Sequence, residues 1–189
     1  MRTLHVGCLP MPSPQGTQAV LRTMTEALAR AGHETHLLTY GYGNGPPLEG
    51  VVHHRCGSRT GSMRSGPSWS KVRDDALMVA SVRKLVRHLR PDLVVAHNVE
   101  ATLVVKAATA LGAHPRTVYF AHTRFDLELP TYAGMRRGGA AFGRLLDTLA
   151  CRLDQVVAIS PALGAHLGAP VVLPPWPVAA PISDDERWA

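Results

Sequence analysis

Short apolar segments alternate with segments of helical periodicity along most of the chain. The apolar segments are rich in Val, Leu and Ile and carry few charges, as expected for strands that are covered on both faces of a sheet. We predict β-strands at residues 3–9, 34–40, 51–56, 92–97, 117–122, 155–160 and 169–173. The alternation predicts an α/β fold, with a doubly wound, mostly parallel sheet flanked by helices.

Two helices are predicted from apolar residues that recur every three or four positions. The first covers residues 17–31, and Gly32 directly after it is a typical helix stop. The second covers residues 71–90 and places its apolar side chains on one arc, while its cations occupy the opposite arc. The apolar arc holds Met78, Val79, Val82, Leu85, Val86 and Leu89, and the basic arc holds Arg73, Arg83, Lys84, Arg87 and Arg90.

The basic arc has two interpretations. The first is an ordinary solvated face of a core helix. The second is a surface that docks on anionic lipid, with Met63 and Trp69 of the preceding loop inserting shallowly.

Polar residues follow several of the predicted strands. They are the loop at residues 10–18, His97 and Asn98, His122 and Thr123, and Ser160. Ligands of doubly wound sheets bind at the carboxyl ends of the strands, so we expect a site where these residues meet.

Composition narrows the function classes. The 189 residues are 46% hydrophobic and 18% charged, which predicts a globular protein with a sizeable core. Three widely spaced cysteines indicate neither a disulfide framework nor a zinc site and favour a reducing, cytoplasmic compartment. The formal charge of +6 fits nucleic acid, an anionic membrane or phosphorylated substrates, but 5% aromatic content and the lack of a recognition motif argue against nucleic acid.

Several candidate motifs fail on inspection. The segment GYGNGPP places two prolines where a nucleotide-binding loop would open a helix, so we interpret it as a turn. His33 and His36 straddle a helix end and a strand, and His53 and His54 point to opposite sides of a strand. We therefore predict no metal site.

The segment LPMPSPQGTQAVLRTM, residues 9–24, runs from a strand through a proline-rich elbow into a helix. Gly16 lies at the start of that helix, where unpaired backbone N–H groups and the helix dipole favour an anionic ligand. The alternative is an ordinary strand-to-helix turn.

Four segments in order resemble the N-terminal domain of family 4 glycosyltransferases, which have the GT-B fold. They are residues 9–40, ending in GHETHLLTY, then RPDLVVAHNVEATLVV, TVYFAHTRFDLELPTY and RLDQVVAISPAL. Together they extend over nearly the whole chain.

The resemblance implies a retaining transferase that uses a nucleotide-sugar donor, with a sugar or lipid-linked acceptor and no covalently bound cofactor. It places Gly16, Thr17 and Gln18 beside the donor diphosphate, and His122 near the reacting sugar, where it orients groups without acting as a nucleophile. It also suggests a set of acceptor-binding residues: His97, Asn98, Glu100, Arg124 and Glu128.

The resemblance further implies a second domain that binds most of the donor, supplied in cis or in trans. Residues 1–180 would form the acceptor-side domain, and residues 181–189 would begin the interdomain segment, where Ser183 and Glu186 form a capping box. We therefore expect this chain alone to be an inactive half of a cytoplasmic enzyme that can be peripheral to the membrane. The alternative is a non-catalytic α/β module that docks on a partner or an anionic membrane surface.

Overall fold

The structure is a computed structural model that describes residues 1–13, 15–61, 69–110, 112, 115–132 and 134–172, without the side chains of residues 69, 70 and 72. Within these ranges the chain forms a parallel sheet of order β3-β2-β1-β4-β5-β6. The strands are β1 (Arg2–Gly7), β2 (Glu34–Tyr40), β3 (Val52–Cys56), β4 (Leu93–His97), β5 (Arg116–Ala121) and β6 (Gln155–Ala158).

Helices cover both faces of the sheet, as right-handed crossovers between parallel strands require. They are α1 (Gly16–Arg30), α2 (Trp69–Leu89), α3 (Asn98–Thr109), α4 (Phe125–Glu128), α5 (Gly139–Ala150) and α6 (Pro161–Leu167), and a single 3₁₀ turn, Leu129–Thr131, follows α4. The doubly wound α/β prediction is confirmed.

The two faces of the sheet have separate apolar cores, because alternate side chains of each strand point to opposite faces. On one face, α1 packs Val20 against Val95 and Phe120, and packs Leu21 against Leu37. On the other face, the apolar arc of α2 packs together with α3 against β1, β2 and β4. The predicted arc of α2 is thus correct for Met78, Val82 and Val86, which are buried, whereas Leu89 is only half-buried.

The strand register determines which residues meet at the carboxyl ends. Gly7 of β1 lies beside His97 of β4, and His97 lies beside Phe120 of β5. Because α1 follows β1 and α3 follows β4, both helices begin at this end of the sheet. Strand ends and helix starts therefore meet at one edge.

The predicted strand at residues 169–173 is wrong for the residues that the structure describes there. Only one bridge forms, between Ala158 and Val171. Pro170 has no N–H to donate to a ladder, and Val171 and Val172 remain exposed. The segment therefore follows β6 for a single pairing only.

The two predicted helices lie within two residues of their expected bounds. The left-handed φ of +83° at Gly32 confirms the expected stop after α1. Four residues named in the sequence analysis lie outside what the structure describes. They are Met63, Trp69 (its side chain), Ser183 and Glu186. In the described part of the chain, no helix combines the length and apolarity needed to cross a bilayer.

Candidate functional site

A cleft of about 300 Å³ opens at the carboxyl ends of the strands. Its walls come from the loop after β1, the first turns of α1 and α3, the start of α2 and the segment around α4. Most of the predicted site residues reach it. Its polar lining includes Gln15, Thr17, Gln18, Asn98, Glu100 and Glu128.

The first turn of α1 offers backbone N–H groups to this cleft and itself contains no acidic side chain. Gln15 is its N-cap in extended conformation, forms no side-chain capping hydrogen bond, and the first turn contains no Asp or Glu. The buried Gln18 amide donates to Gln15 Oε1 at 2.7 Å and fixes the turn. A Cβ placed on Gly16 would meet nothing within 4 Å. Nothing in the described fold therefore requires glycine at this position.

Asn98, at the first position of α3, has a left-handed backbone with φ of 70°. Residues other than glycine adopt this backbone conformation at a cost in free energy, and the cost is smaller for Asn than for most residues. The Oδ1 of Asn98 is covered and finds no hydrogen-bond partner among the described residues. A strained residue with an unsatisfied acceptor thus lines the cleft between β4 and α3.

Glu128 is fixed on the opposite wall by two hydroxyl groups. It accepts hydrogen bonds from Thr123 Oγ1 at 2.7 Å and from the Tyr132 hydroxyl at 2.6 Å. Glu100 is an exposed residue that lines the cleft, but protein atoms close to its carboxyl group partly desolvate that group. This desolvation, together with the carboxylates of Glu128 and Asp75, raises the pKa of Glu100 above its usual range.

The start of α2 adds two charged residues that the sequence analysis missed. Asp75 accepts a hydrogen bond from the Tyr40 hydroxyl at 2.7 Å, and burial raises the pKa of its carboxyl. Burial also lowers the pKa of Lys71. Both residues lie on the apolar arc of α2, because Asp75 is seven positions before Val82 and Lys71 is seven positions before Met78. Charged residues on a core-facing stripe were the signal available in the sequence.

Three histidine rings form a row on the α1 face of the sheet. His5 Nδ1 lies 3.0 Å from His97 Nε2, and His97 Nδ1 lies 3.0 Å from His122 Nε2. Burial lowers the pKa of His5 and of His122 to about 4 each, and lowers that of His97 well below its usual value. All three rings are therefore neutral near pH 7.

The predicted residues differ in how close they come to the cleft. His122 is half-buried beside it, next to Thr123 in the lining, whereas His97 is fully buried behind it and touches His122. Arg124 does not line the cleft, because it forms a bidentate pair with Asp126 at 3.1 and 2.8 Å. Ser160 caps α6 by accepting from the Leu163 N–H.

One group of side chains that could bind a metal occurs in the described part of the chain, and none of its members lines this cleft. Ligand atoms of Asp126, Asp147 and His166 lie within 4.8 Å of one another. Arg124 already neutralises Asp126, and the backbone amides of Asp126 and Phe125 interact with Asp147. We assign no metal to this group.

Comparison with known proteins identifies relatives of this chain. The sequence model of glycosyltransferase family 4 matches residues 14–179. A sequence search of curated proteins finds no match.

Solved structures share the fold at low sequence identity. Sucrose-phosphate synthase from Thermosynechococcus elongatus matches with a TM-score of 0.68 and 14% identity, covering 91% of this chain and 47% of that protein. The lipopolysaccharide outer core galactosyltransferase WaaB, in its apo form, matches at 0.58 and 15%, covering 89% and 42%. A UGT transferase from Siraitia grosvenorii in complex with UDP matches at 0.53 and 11%, covering 91% and 50%. The chain thus spans about half the length of each.

Proposed function

The chain belongs to glycosyltransferase family 4, and we propose that it is the acceptor-side half of a nucleotide-sugar-dependent transferase that retains anomeric configuration. The observation that carries this proposal is the convergence of polar groups at the carboxyl edge of the sheet. Uncapped helix amides and the unsatisfied Asn98 Oδ1 meet at one cleft, and the neutral His122 ring lies next to Thr123 of the cleft lining. This is where ligands of doubly wound sheets bind.

The first turn of α1 would contact the diphosphate of the donor. A helix N-terminus favours an anion because its first N–H groups are unpaired and the dipole is positive there. The open space at the Gly16 Cβ position leaves the backbone accessible to a close phosphate oxygen. Thr17 and Gln18 supply the next amides in the same turn.

His122 would orient the transferred sugar. A neutral imidazole can hydrogen-bond to a hydroxyl group without placing a positive charge beside it. In the reaction that we propose, the bond from the anomeric carbon to the diphosphate oxygen breaks, and the acceptor oxygen bonds to the same face. The acceptor proton passes to the departing diphosphate. In this reaction His122 therefore forms no covalent bond to the sugar.

The cleft would hold the acceptor. Asn98, Glu100 and Glu128 present amide and carboxylate groups that can hydrogen-bond to hydroxyl groups of a sugar. Tyr132 and Phe125 add apolar surface in the same cleft. Arg124 would act only after release from Asp126, and His97 would act through His122.

The experiment compares sugar transfer by residues 1–189 with transfer by a two-domain enzyme that contains them, using a panel of UDP-, GDP- and ADP-sugars. Catalysis requires both reactants to be held together, an effect worth up to about 7–11 kcal/mol. We therefore expect transfer by the two-domain enzyme and little or none by residues 1–189. Rapid turnover by residues 1–189, or no transfer from any donor by the two-domain enzyme, would contradict the proposal.

A second candidate function is docking on an anionic membrane surface through α2. Its residues Arg73, Lys84 and Arg87 are exposed, as is Arg90 directly after it, whereas Arg83 is half-buried. Docking is compatible with transfer to a lipid-linked acceptor.

A further inference from the structure

The histidine row spans three neighbouring strand ends of the sheet. Because Gly7 pairs with His97, His5 lies two residues back on the same face. Because His97 pairs with Phe120, His122 lies two residues forward on that face. The ring centroids are 5.3 Å apart at both steps. The backbone register therefore holds the three rings in one continuous row.

Three neutral imidazoles in a row carry three N–H protons. The two contacts between the rings use two of these protons, so the third lies at one end of the row. That end is either His5 Nε2 or His122 Nδ1, and neither atom finds a partner among the described residues. The choice between the ends fixes the direction of both hydrogen bonds.

Both end atoms are covered, but the two histidines differ in how deeply the whole residue is buried. His5 is 1% exposed, so a proton on its Nε2 would be an orphaned N–H in the interior, which folded proteins rarely contain. The Nδ1 of His122 is covered as well, but His122 is half-buried and adjoins Thr123 of the cleft lining, so this is the end of the row that a ligand can approach. The favoured direction therefore runs outward, from His5 Nδ1–H to His97 Nε2 and from His97 Nδ1–H to His122 Nε2.

We propose that His5 and His97 are positioning residues that hold His122 as its Nδ1–H tautomer, a hydrogen-bond donor aimed at a hydroxyl of the bound sugar. The hydrogen bond to a sugar hydroxyl rests on the proposed function, whereas the tautomer of His122 does not. The Nε2 of His122 is then occupied as an acceptor, so the ring cannot take a proton from the acceptor substrate at that atom.

The test is long-range ¹H–¹⁵N correlation NMR of the ¹⁵N-histidine-labelled chain near pH 7.5, which distinguishes protonated from unprotonated ring nitrogens. Signals are assigned by their loss in His5→Asn, His97→Asn and His122→Gln. We expect His122 to show a protonated Nδ1 and an unprotonated Nε2. The reverse pattern in the wild-type chain would overturn the proposal.

Two variants of His97 separate positioning from mere packing. In His97→Asn, the side-chain amide nitrogen stands as many bonds from Cα as Nδ1 does and can still donate to His122 Nε2. We expect this variant to keep the wild-type pattern, whereas His97→Leu, which has no donor, shifts the His122 proton toward Nε2. An unchanged His122 pattern in folded His97→Leu overturns the proposal. If His97→Leu fails to fold, the His97→Asn pattern decides, and a protonated Nε2 there overturns it.

The measurement uses no substrate, so it separates this inference from the proposed function. If the chain shows the Nδ1–H tautomer but the two-domain enzyme that contains it transfers no sugar, the positioning inference stands and the transferase proposal is refuted. Transfer activity with His122 protonated at Nε2 would do the reverse.

Discussion

Polar residues cluster both where the strands begin, which we call the amino edge of the sheet, and where they end, the carboxyl edge. Their hydrogen bonding differs between the two edges. At the amino edge they bond to one another: Arg2 pairs with Glu34 at 2.8 Å, and its backbone N–H donates to Asp92 at 2.7 Å. Asp154 accepts from both the backbone N–H and the hydroxyl of Thr117, at 2.7 and 2.8 Å. These groups tie the beginnings of neighbouring strands together.

At the carboxyl edge, several polar atoms are left without partners among the described residues. Asn98 Oδ1 and His122 Nδ1 are covered and unsatisfied, and Asn98 also has a left-handed backbone. An unsatisfied buried polar atom costs about 1–3 kcal/mol unless water or a ligand completes it. The amino edge has such an atom too, Thr3 Oγ1, but its strand starts are joined by the bonds above, so we propose that the amino edge contributes mainly to stability and the carboxyl edge to binding.

The largest expected effect is that of Gly16→Val in the two-domain enzyme, which should impair binding at the carboxyl edge without affecting stability. The added side chain would occupy the space next to the helix amides and push a diphosphate out of position. A misplacement of this kind can cost about 100-fold in rate. We expect transfer to fall by about that factor while the melting temperature stays close to that of the wild type, because the new Cβ meets no described atom.

The control for Gly16→Val is Ala107→Val, which adds the same β-branched side chain at an exposed position of α3 outside the cleft. It should leave transfer unchanged. Equal losses of melting temperature and activity in Gly16→Val would instead support an ordinary strand-to-helix turn.

The next effect concerns the pH dependence of stability. The pKa of His5 falls from 6.5 when unfolded to about 4 in the fold, owing to burial. The unfolded chain therefore binds more protons between these values, and stability is lost as pH falls from 6.5 toward 4. This residue alone should lower the free energy of unfolding by about 2 kcal/mol between pH 7 and pH 5.

Denaturant titrations of the wild type and of His5→Phe at both pH values measure this difference. The variant should lose less stability on acidification by about the same amount, whatever its stability at pH 7. Equal pH dependence in the two proteins would show that His5 is not a neutral buried ring.

At the amino edge, Asp154→Ala should have the opposite effect to Gly16→Val, lowering stability and leaving transfer unchanged. It removes the acceptor of two hydrogen bonds from Thr117, each worth about 0.5–1.5 kcal/mol. The free energy of unfolding should fall by about 1–3 kcal/mol, with transfer by the two-domain enzyme unchanged under conditions where the protein stays folded. A loss of transfer without a loss of stability would contradict the division between the edges.

The smallest effect is expected on the outer surface of α2. If this surface docks on anionic lipid, each of the exposed cations Lys84 and Arg87 contributes about 1 kcal/mol near the bilayer, less as salt rises. Replacing both with Gln should reduce sedimentation with phosphatidylserine vesicles, and replacing the exposed Arg116 and Arg152 should not. Equal binding to anionic and neutral vesicles, or none to either, would mean that the surface is only solvated.

Local periodicity was sufficient to predict the fold. Six of the seven predicted strands form because each combines apolar, β-branched residues with a turn or helix signal at its end. The exception, residues 169–173, had the apolar residues but also Pro170, which prevents regular pairing. Composition alone does not reveal how many neighbours such a segment will pair with.

The candidate site was only partly predictable, because sheet order brings together residues that are distant in sequence. Asn98 follows β4 directly, so its place in the cleft was foreseeable, whereas Glu128 ends α4 and was expected there only from the family resemblance. Asp75 and Lys71 reach it from the start of α2, and His5 joins the histidine row only because β1 lies beside β4. The pairing of Arg124 with Asp126 depends on side-chain geometry that the sequence does not specify.

The most direct test of the two roles is an amide chemical-shift map of the ¹⁵N-labelled chain titrated with UDP. We expect the largest shifts at the N–H groups of Gly16, Thr17 and Gln18, with smaller shifts around Asn98, and none around Asp92 or Asp154. Shifts concentrated at the amino edge, or no shifts at the first turn of α1 at saturating UDP, would contradict the assignment of the carboxyl edge as the binding site.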